Sequence, residues 1–439
     1  MSKCKLIVIN VAGLSPALVK RGDLLPNISS IIADGSYLPL YPVFPAVTCT
    51  VQATLTTGTY PSEHGIVANG LFERDSMEVH FWHQPNQLVQ KERFWTKLRG
   101  SGLEKVAMLF WQHSKFSDAE FVNTPAPIHT ETGEVISTCY SKPDGLYAEL
   151  EKLLGLFPLH RYWGPIASAE SSQWIVKATN YILNKHKPDL TLTYIPHLDY
   201  SLQRFGPKGK EIAGDLTLLD TMIGEIAETA KKIGANIVIL SEYGMSEVND
   251  AIHINRELRK AGLLNTFEAK GREYVEIGDC KTFAIADHQI AHIYLNKIDS
   301  KEAAAVIRDI NPQIRILATD EEKREYHINH ERSGDIIAIA PPDKWFTYYW
   351  WLDDAKAPTF ARGVDIHRKP GYDPLDLFFS PDKKGISMDA RMIKGSHGRL
   401  PDSKDEMGVF ISNLPINALK GKDTIKAIEV ANLLETLLK

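Results

Sequence analysis

The chain has 439 residues, of which 44% are hydrophobic and 24% charged, and a formal net charge of -5 at pH 7. This length and composition are typical of a soluble globular protein with one large α/β domain that carries an insertion. The slightly acidic balance excludes a broad basic surface for a nucleic-acid polymer or an anionic membrane. A run of about 18 apolar residues, as a membrane-spanning helix requires, is absent from the sequence.

Alternating strand and helix patterns predict a parallel α/β sheet in the first part of the chain. Leu6 to Asn10 is a short apolar run before a glycine-containing turn, typical of the buried first strand of such a sheet. Further strands are predicted at Val106 to Phe110, Leu190 to Tyr194 and Asn236 to Leu240. Helices are predicted at Phe94 to Leu98, Ala167 to Asn184 and Leu216 to Lys232. We expect a doubly wound, mostly parallel sheet with its functional site at the carboxyl ends of the strands.

The pattern changes near Phe267 and returns to core-type sequence near residue 385. Short strands are predicted at Lys281 to Ile285, Ala291 to Leu295 and Asp335 to Ile339, and a helix at Lys301 to Ile310. These elements indicate a small α+β cap subdomain, 266–384, inserted into a core of residues 1–265 and 385–439. The core is predicted to end in a helix over Ala427 to Leu438. Because the insertion separates residues expected to face one pocket, we predict that it covers that edge of the sheet as a lid.

The segment from Phe44 to Asn69 carries the most specific motif of the chain. It reads FPAVTCT and then, after six further residues, TGTYPSEHGIVAN. It resembles the nucleophile region of the nucleotide pyrophosphatase/phosphodiesterase (type I phosphodiesterase) branch of the alkaline phosphatase superfamily. The resemblance implies an alkaline phosphatase-like core, with Thr48 attacking phosphorus at a helix start and Asn69 holding a phosphoryl oxygen. Helix N–H groups and the helix dipole favour an anion there; the alternative is that Thr48 is an ordinary helix start without chemistry.

The family binds two divalent metals through four sequence blocks, all of which can be located here. The fourth block, Gly-Ser-His-Gly with His397, is intact, and the second keeps Asp199. The remaining positions are changed. Asn10 and Glu242 stand where the family has aspartates, and Gln203 and Tyr243 where it has histidines.

These changes favour a smaller and harder metal site. Zinc prefers nitrogen and sulfur ligands, whereas amide and carboxylate oxygens suit magnesium, manganese or calcium. We therefore predict at most one divalent metal ion, of uncertain identity (Mg, Mn, Ca or Zn), held by Asp199, Glu242 and His397. Gln203 and Tyr243 are expected to shape the pocket, and Asn10 to lie beside the metal.

Other polar and aromatic residues of the predicted insertion leave their roles open. Asp365 and His367 lie on one face of an extended segment, a spacing that can bind a metal, although such residues are also common near turns. Asp287 and His288 are interpreted as ordinary turn residues. The aromatic run from Trp345 to Trp351 fits a specificity pocket and a core equally well.

The cysteines and the N-terminus favour a cytoplasmic location. The four cysteines show neither a CxxC pair nor a disulfide-like spacing: Cys4, Cys49, Cys139 and Cys280. The first residues lead into a short apolar run without the features of a secretory signal. Cys49, beside Thr48, is expected to be a small buried residue rather than a second nucleophile.

Together these observations predict a hydrolase of phosphoesters or phosphodiesters with Thr48 as nucleophile and a rewired divalent-metal site. The expected partner is a small-molecule phosphate ester, and the oligomeric state is open. One alternative is a catalytically silent homologue that binds a phosphate ligand, which the changed metal positions favour. Another is a phosphotransferase whose acceptor is not water, which the sequence does not separate from a hydrolase.

Overall fold

The computed structural model describes residues 4–132 and 134–439 and confirms the predicted α/β class. Its strands are β1 (Lys5–Val11), β2 (Ser36–Tyr41), β3 (Gly70–Glu73), β4 (Glu78–Phe81), β5 (Val106–Leu109), β6 (Phe121–Pro125), β7 (Ile128–His129), β8 (Val135–Ile136), β9 (Cys139–Lys142), β10 (Leu190–Ile195), β11 (Ala235–Leu240), β12 (Ser246–Glu247), β13 (Asp250–Ile252), β14 (Phe267–Ala269), β15 (Arg272–Tyr274), β16 (Thr282–Asp287), β17 (Ile290–Leu295), β18 (Arg315–Leu317), β19 (Ile336–Ile339), β20 (Lys344–Phe346), β21 (Gly395–Ser396), β22 (Gly408–Ser412) and β23 (Ile425–Lys426). Its α-helices are α1 (Pro16–Val19), α2 (Pro26–Asp34), α3 (Thr48–Thr57), α4 (Pro61–His64), α5 (Leu146–Leu154), α6 (Leu159–Tyr162), α7 (Ala169–His186), α8 (His197–Phe205), α9 (Ile212–Ile233), α10 (Ile254–Lys260), α11 (Ser300–Ile310), α12 (Asp320–Glu325) and α13 (Ala427–Leu438).

The described residues form a central sheet of nine strands in the order β23-β2-β22-β11-β1-β10-β5-β6-β9. The middle of this sheet, from β11 to β6, is parallel. Strand β22 is antiparallel to both of its neighbours, and β9 is antiparallel to β6. All four predicted core strands are confirmed. The predicted helix at Phe94 to Leu98 is a short 3-10 helix instead of an α-helix.

Helices cover both faces of the sheet because successive side chains of a strand point to opposite sides. On β1, Leu6 and Val8 pack in the hydrophobic core that includes residues of α3 and α13. Ile7 and Ile9 of the same strand pack in the opposite core, formed largely by α9. The sheet is therefore doubly wound, and its middle strands are buried on both faces.

A second, four-stranded sheet contains elements predicted from the later part of the sequence. Its order is β16-β17-β19-β18, and each neighbouring pair is antiparallel. The predicted helix in this region is α11. The aromatic run from Trp345 to Trp351 is buried in the hydrophobic core beside this sheet, so the core interpretation of that run is correct. The domain boundaries at 266 and 384 stay a prediction.

Within residues 4–132 and 134–439, each helix is too short or too polar to cross a bilayer. All four cysteines are free, and three of them are buried. The cytoplasmic location stays a prediction.

A buried lysine anchors the segment that follows it. Lys369 Nζ lies 2.8 Å from Asp373 Oδ2 and 2.6 Å from Asp376 Oδ1, and each of the three side chains is 1% exposed. Asp376 also accepts a hydrogen bond of 3.0 Å from Trp163 Nε1. This cluster therefore ties the chain around Tyr372 to Trp163.

Replacing Lys369 by methionine should strongly destabilise the fold, because two buried carboxyl groups lose their cation. We expect the free energy of unfolding, measured by urea denaturation, to fall by about 3–5 kcal/mol. Lys356→Met is the matched control, because the side chains of Lys356 and its partner Glu268 are 45% and 54% exposed; the urea midpoint of this variant should barely move. Equal losses in the two variants would contradict a structural role of the buried cluster.

Candidate functional site

Three neighbouring parallel strands bring the predicted site residues to one edge of the central sheet. Asn10 of β1 is in register with Leu240 of β11 on one side and with Tyr194 of β10 on the other. Glu242 follows the end of β11, and the helix after β10, α8, carries Asp199. Because the carboxyl ends of parallel strands share one edge, these residues lie together there.

Thr48 begins helix α3 and lies next to Tyr243. Its Oγ1 is 3.1 Å from the phenol oxygen of Tyr243, which in turn donates a hydrogen bond of 3.3 Å to Asp199 Oδ1. A phenol has one proton to donate. With that proton directed at Asp199, Thr48 is the donor to Tyr243, and the three groups form a row in which each hydroxyl donates towards the carboxyl group.

Asp199 is enclosed by polar and aromatic groups. Gln203 Nε2 donates to Asp199 Oδ2, while Gln203 Oε1 accepts a hydrogen bond of 3.0 Å from Tyr372. His397 Nε2 lies 3.9 Å from Asp199 Oδ1, and the His397 ring stacks on Tyr243 with centroids 3.6 Å apart. Burial raises the pKa of Asp199 to about 7, against the hydrogen bond from Gln203, which lowers it. Burial holds the pKa of His397 well below its usual value, so this imidazole is neutral at pH 7.

Glu242 belongs to a separate group of amide side chains. Its Oε1 accepts hydrogen bonds from Asn10 Nδ2 at 2.6 Å and from Gln52 Nε2 at 2.8 Å. Gln52 Oε1 accepts a hydrogen bond of 2.8 Å from the backbone of Gln112, which fixes the orientation of the Gln52 amide. Burial raises the pKa of Glu242 to about 7, although the hydrogen bonds from Gln52 and Asn10 lower it.

Asn69 links the start of α3 to the end of β16 through both ends of its side-chain amide. Its Oδ1 accepts a hydrogen bond of 2.9 Å from the backbone of Cys49. Its Nδ2 donates to Asp287 Oδ1 at 3.1 Å, and its backbone N–H donates to Asp287 Oδ2 at 2.8 Å. The role of Asn69 in holding a phosphoryl oxygen stays a prediction, and in this structure its amide donor is engaged by Asp287.

Asp287 and His288 lie at a turn, as interpreted, but they are not the exposed turn residues that this interpretation expected. They lie at the tip of the β16–β17 hairpin, which points into the protein, and both are buried. His288 Nδ1 is 2.7 Å from Asp287 Oδ1, and the His288 ring lies between those of Tyr372 and His397, at 3.6 and 3.8 Å. The one sequence feature that pointed to a buried position here is the acidic residue Asp287 at the end of an apolar strand.

The donor groups of this site do not fit the metals of the family. Among residues 4–132 and 134–439, no three histidine, cysteine or acidic side chains are grouped so as to hold a metal ion. Asp199 lies close to His397, whereas Glu242 is bonded to Asn10 and Gln52, so the predicted ligand set of Asp199, Glu242 and His397 is not assembled. Amide N–H groups donate to Asp199 Oδ2 and to Glu242 Oε1, whereas Glu242 Oε2 and Asn10 Oδ1 have no hydrogen-bond partner among the described residues.

A cavity of about 280 Å³ opens above Thr48. Its floor includes Asp199, Tyr243 and His397, and no lysine or arginine of the described chain lines it. Its walls are rich in aromatic rings, which the sequence did not reveal because they come from separate segments: Trp82, Tyr162, Trp163, Tyr194, Tyr200 and Tyr372.

Asp365 and His367 also line this cavity, at a distance from the Asp199 group. Asp365 forms an ion pair with Arg368, whose side chain is exposed. His367 Nδ1 donates to the backbone oxygen of Phe81 at 3.1 Å. Both residues thus belong to the cavity wall, where Asp365 pairs with a neighbouring residue and His367 bonds to the distant segment of Phe81.

The interaction between Asn69 and Asp287 can be tested by exchanging the two residues. Asn69→Asp places two carboxyl groups face to face and should lower the free energy of unfolding by about 1–3 kcal/mol. Adding Asp287→Asn restores one donor and one acceptor, so the double variant should recover most of that loss in a double-mutant cycle measured by urea denaturation. Simple additivity of the two single effects would show that the contact contributes little.

Comparison with known proteins points to one family. The family model described as type I phosphodiesterase / nucleotide pyrophosphatase matches residues 6–373. An uncharacterized pyrophosphatase/phosphodiesterase of Schizosaccharomyces pombe is 26% identical over 380 residues, which cover 84% of this chain and 68% of that protein. Human ectonucleotide pyrophosphatase/phosphodiesterase family member 1 is 23% identical over 442 residues, covering 95% of this chain. The chain spans only 38% of the length of that relative.

Two solved structures show the same fold. Phosphonoacetate hydrolase from Sinorhizobium meliloti, in complex with phosphonoformate, has a TM-score of 0.65 at 17% identity and covers 100% of this chain and 96% of that one. Murine ectonucleotide pyrophosphatase/phosphodiesterase 5, an inactive threonine-to-alanine variant in complex with AMP, has a TM-score of 0.61 at 14% identity. It covers 99% of this chain and 95% of that one.

Proposed function

Because the chain belongs to the type I phosphodiesterase/nucleotide pyrophosphatase family, we propose that it hydrolyses a phosphoester or phosphodiester of a small molecule, with Thr48 as nucleophile. The observation that carries this proposal is the position of the Thr48 hydroxyl. It stands at the first residue of α3, on the floor of the cavity, in hydrogen-bonding distance of Tyr243. The inactivity of the threonine-to-alanine variant of the murine relative supports a threonine nucleophile.

The proposed reaction has two steps. Thr48 Oγ1 attacks phosphorus, the bond from phosphorus to the leaving oxygen breaks, and phosphorus becomes covalently bound to Thr48 Oγ1, keeping its second ester group when the substrate is a diester. Water then attacks the same phosphorus and releases Thr48. The positive end of the α3 dipole lies beside the reacting phosphoryl group and favours its negative charge.

The cavity supports an aromatic or other planar substrate group. Trp82, Trp163 and Tyr200 offer ring faces for stacking within the same cavity as Thr48. Since no lysine or arginine of the described chain lines the cavity, each further negative charge of a polyphosphate would be buried without a cation. A singly charged diester therefore suits the cavity better than a nucleoside triphosphate.

A second candidate function is binding of a phosphate ligand without turnover. The specific observation in its favour is Asn69, whose amide is engaged by Cys49 and Asp287. This candidate predicts ligand binding by the wild-type protein without product release. The choice between water and another acceptor, and the cytoplasmic location, likewise remain predictions.

Replacing Thr48 by alanine should abolish covalent catalysis. We expect kcat/KM for bis(p-nitrophenyl) phosphate to fall by at least about 100-fold, as for the loss of a nucleophile. Thr50→Ala is the matched control, because Thr50 is a buried threonine of the same helix whose hydroxyl has no partner in the described chain. Unchanged turnover in the Thr48 variant would exclude this residue as the nucleophile.

Removing an aromatic wall should weaken binding of an aryl substrate. Trp163→Ala is expected to raise KM for bis(p-nitrophenyl) phosphate by about fivefold, since an aromatic contact contributes about 1 kcal/mol. Phe205→Ala serves as the control, because Phe205 is 44% exposed. A KM that responds equally to both substitutions would show that the aryl group binds elsewhere.

A further inference from the structure

Tyr243 lies between the two groups whose chemistry the reaction needs. Its phenol oxygen is 3.1 Å from Thr48 Oγ1 and 3.3 Å from Asp199 Oδ1. A threonine hydroxyl is a weak nucleophile and needs a base or a metal ion to activate it. In this site a hydroxyl relay to a carboxylate is already in place.

We propose that Tyr243 and Asp199 replace the metal ions of the family, so that the chain activates Thr48 without a divalent cation. This inference rests on the proposed role of Thr48. As Thr48 Oγ1 attacks, its proton passes to the phenol oxygen of Tyr243, and the phenol proton passes to the Asp199 carboxylate. The new bond joins Oγ1 to phosphorus, and the leaving oxygen departs with the electron pair of the broken bond.

The second step reverses the relay. Water attacks phosphorus, and Thr48 Oγ1 leaves with the electron pair of its bond to phosphorus. Oγ1 recovers a proton through Tyr243 from Asp199, and the proton released by the attacking water passes to solvent. The two steps need only the side chains of Thr48, Tyr243 and Asp199, the substrate and water.

Tyr243 is held rigidly in this position. Its side chain is buried, and its ring is nearly parallel to that of His397, at an interplanar angle of 10°. The backbone on either side is fixed, because Ser241 Oγ donates to the Tyr243 carbonyl at 3.0 Å and the N–H of Gly244 donates to Glu406 at 3.1 Å. A Cβ atom at Gly244 would lie 2.5 Å from the Glu406 carbonyl oxygen, so the two segments are in close contact.

His397 lies beside the carboxyl group in a fixed orientation. Its Nδ1 lies 2.8 Å from the backbone oxygen of Ala46, which can only accept, so Nδ1 carries the proton. The Nε2 lone pair therefore faces Asp199 at 3.9 Å. His397 Nε2 is thus unprotonated, and at 3.9 Å it is too far from Asp199 Oδ1 for a hydrogen bond.

A divalent ion held by Asp199 would have to displace existing hydrogen bonds. The amide of Gln203 already donates to Asp199, and its orientation is fixed by Tyr372. On the Glu242 side, the amides of Asn10 and Gln52 donate to Oε1, and Glu242 Oε2 and Asn10 Oδ1 have no partner among the described residues. The phenol of Tyr243 would also have to leave the space between Thr48 and Asp199.

The test uses the full chain and bis(p-nitrophenyl) phosphate. Wild-type turnover should change by less than about twofold after treatment with EDTA and 1,10-phenanthroline, and elemental analysis should find no stoichiometric divalent metal. Tyr243→Phe keeps the ring on His397 and removes the hydroxyl; its kcat should fall by about 100-fold or more with little change in KM, as expected for lost proton transfer. Tyr348→Phe is the matched control, because Tyr348 is buried in the aromatic core away from the cavity, and its turnover should be unchanged.

A gain of metal binding would test the same proposal in the opposite direction. The combined substitutions Asn10→Asp, Gln203→His, Glu242→Asp and Tyr243→His restore the metal-binding residue types of the family. This variant should acquire zinc that elemental analysis detects, and any turnover should become sensitive to chelators.

The outcomes separate this inference from the proposed function. Loss of wild-type turnover on chelation, restored by zinc or magnesium, would overturn the metal-independent relay while Thr48 remained the nucleophile. Full activity of Tyr243→Phe would overturn the relay as well. Full activity of Thr48→Ala would instead defeat the proposed function on which the relay depends.

Discussion

The parallel register of β11, β1 and β10 is the constraint on which the rest of the site depends. It sets Asn10 beside Leu240 and Tyr194, so that the chain after each strand turns into the same space. A slip of one residue would exchange the two faces of β1 and move Leu6 and Val8 out of the core that they share with α3. Because these strands are buried on both faces, such a slip is opposed by the whole hydrophobic core. The position of Glu242 relative to Thr48 therefore depends on how β11, β1 and α3 pack, including parts of these elements that touch neither residue.

The side chains at the changed metal-ligand positions form hydrogen bonds with one another and with Asp199. A buried carboxylate without a cation is costly unless hydrogen bonds compensate it. Both carboxyl groups of the site receive such bonds from amides at changed positions, Glu242 from Asn10 and Asp199 from Gln203. Tyr243 supplies a further donor to Asp199. Each carboxyl group thus has two donors, because Gln52 also donates to Glu242, and losing one amide would weaken the compensation of its charge without removing it.

The sequence was most informative where a pattern is local. Apolar runs located the core strands, and the spacing of Thr48 and Tyr243 within recognisable blocks placed both residues at the correct sheet edge. The cavity walls could not be predicted in this way, because Trp82, Trp163 and Tyr200 meet only through the tertiary fold. Gln52 was missed for a related reason: it lies inside helix α3 with no motif around it, and its role appears only in its contact with Glu242.

The β16–β17 hairpin shows why a split between core and insertion does not describe the site. Its tip supplies Asp287 to Asn69, and the backbone of Gln289 donates to the carbonyl of His397 at 2.9 Å. Asn69 in turn accepts from the backbone at the start of α3, next to Thr48. The second sheet therefore contributes to the position of the nucleophile as well as to the cavity wall. Removing residues 266–384 would take away the partner of Asn69 and disturb the beginning of α3, so this segment is part of the machinery that holds Thr48 in place.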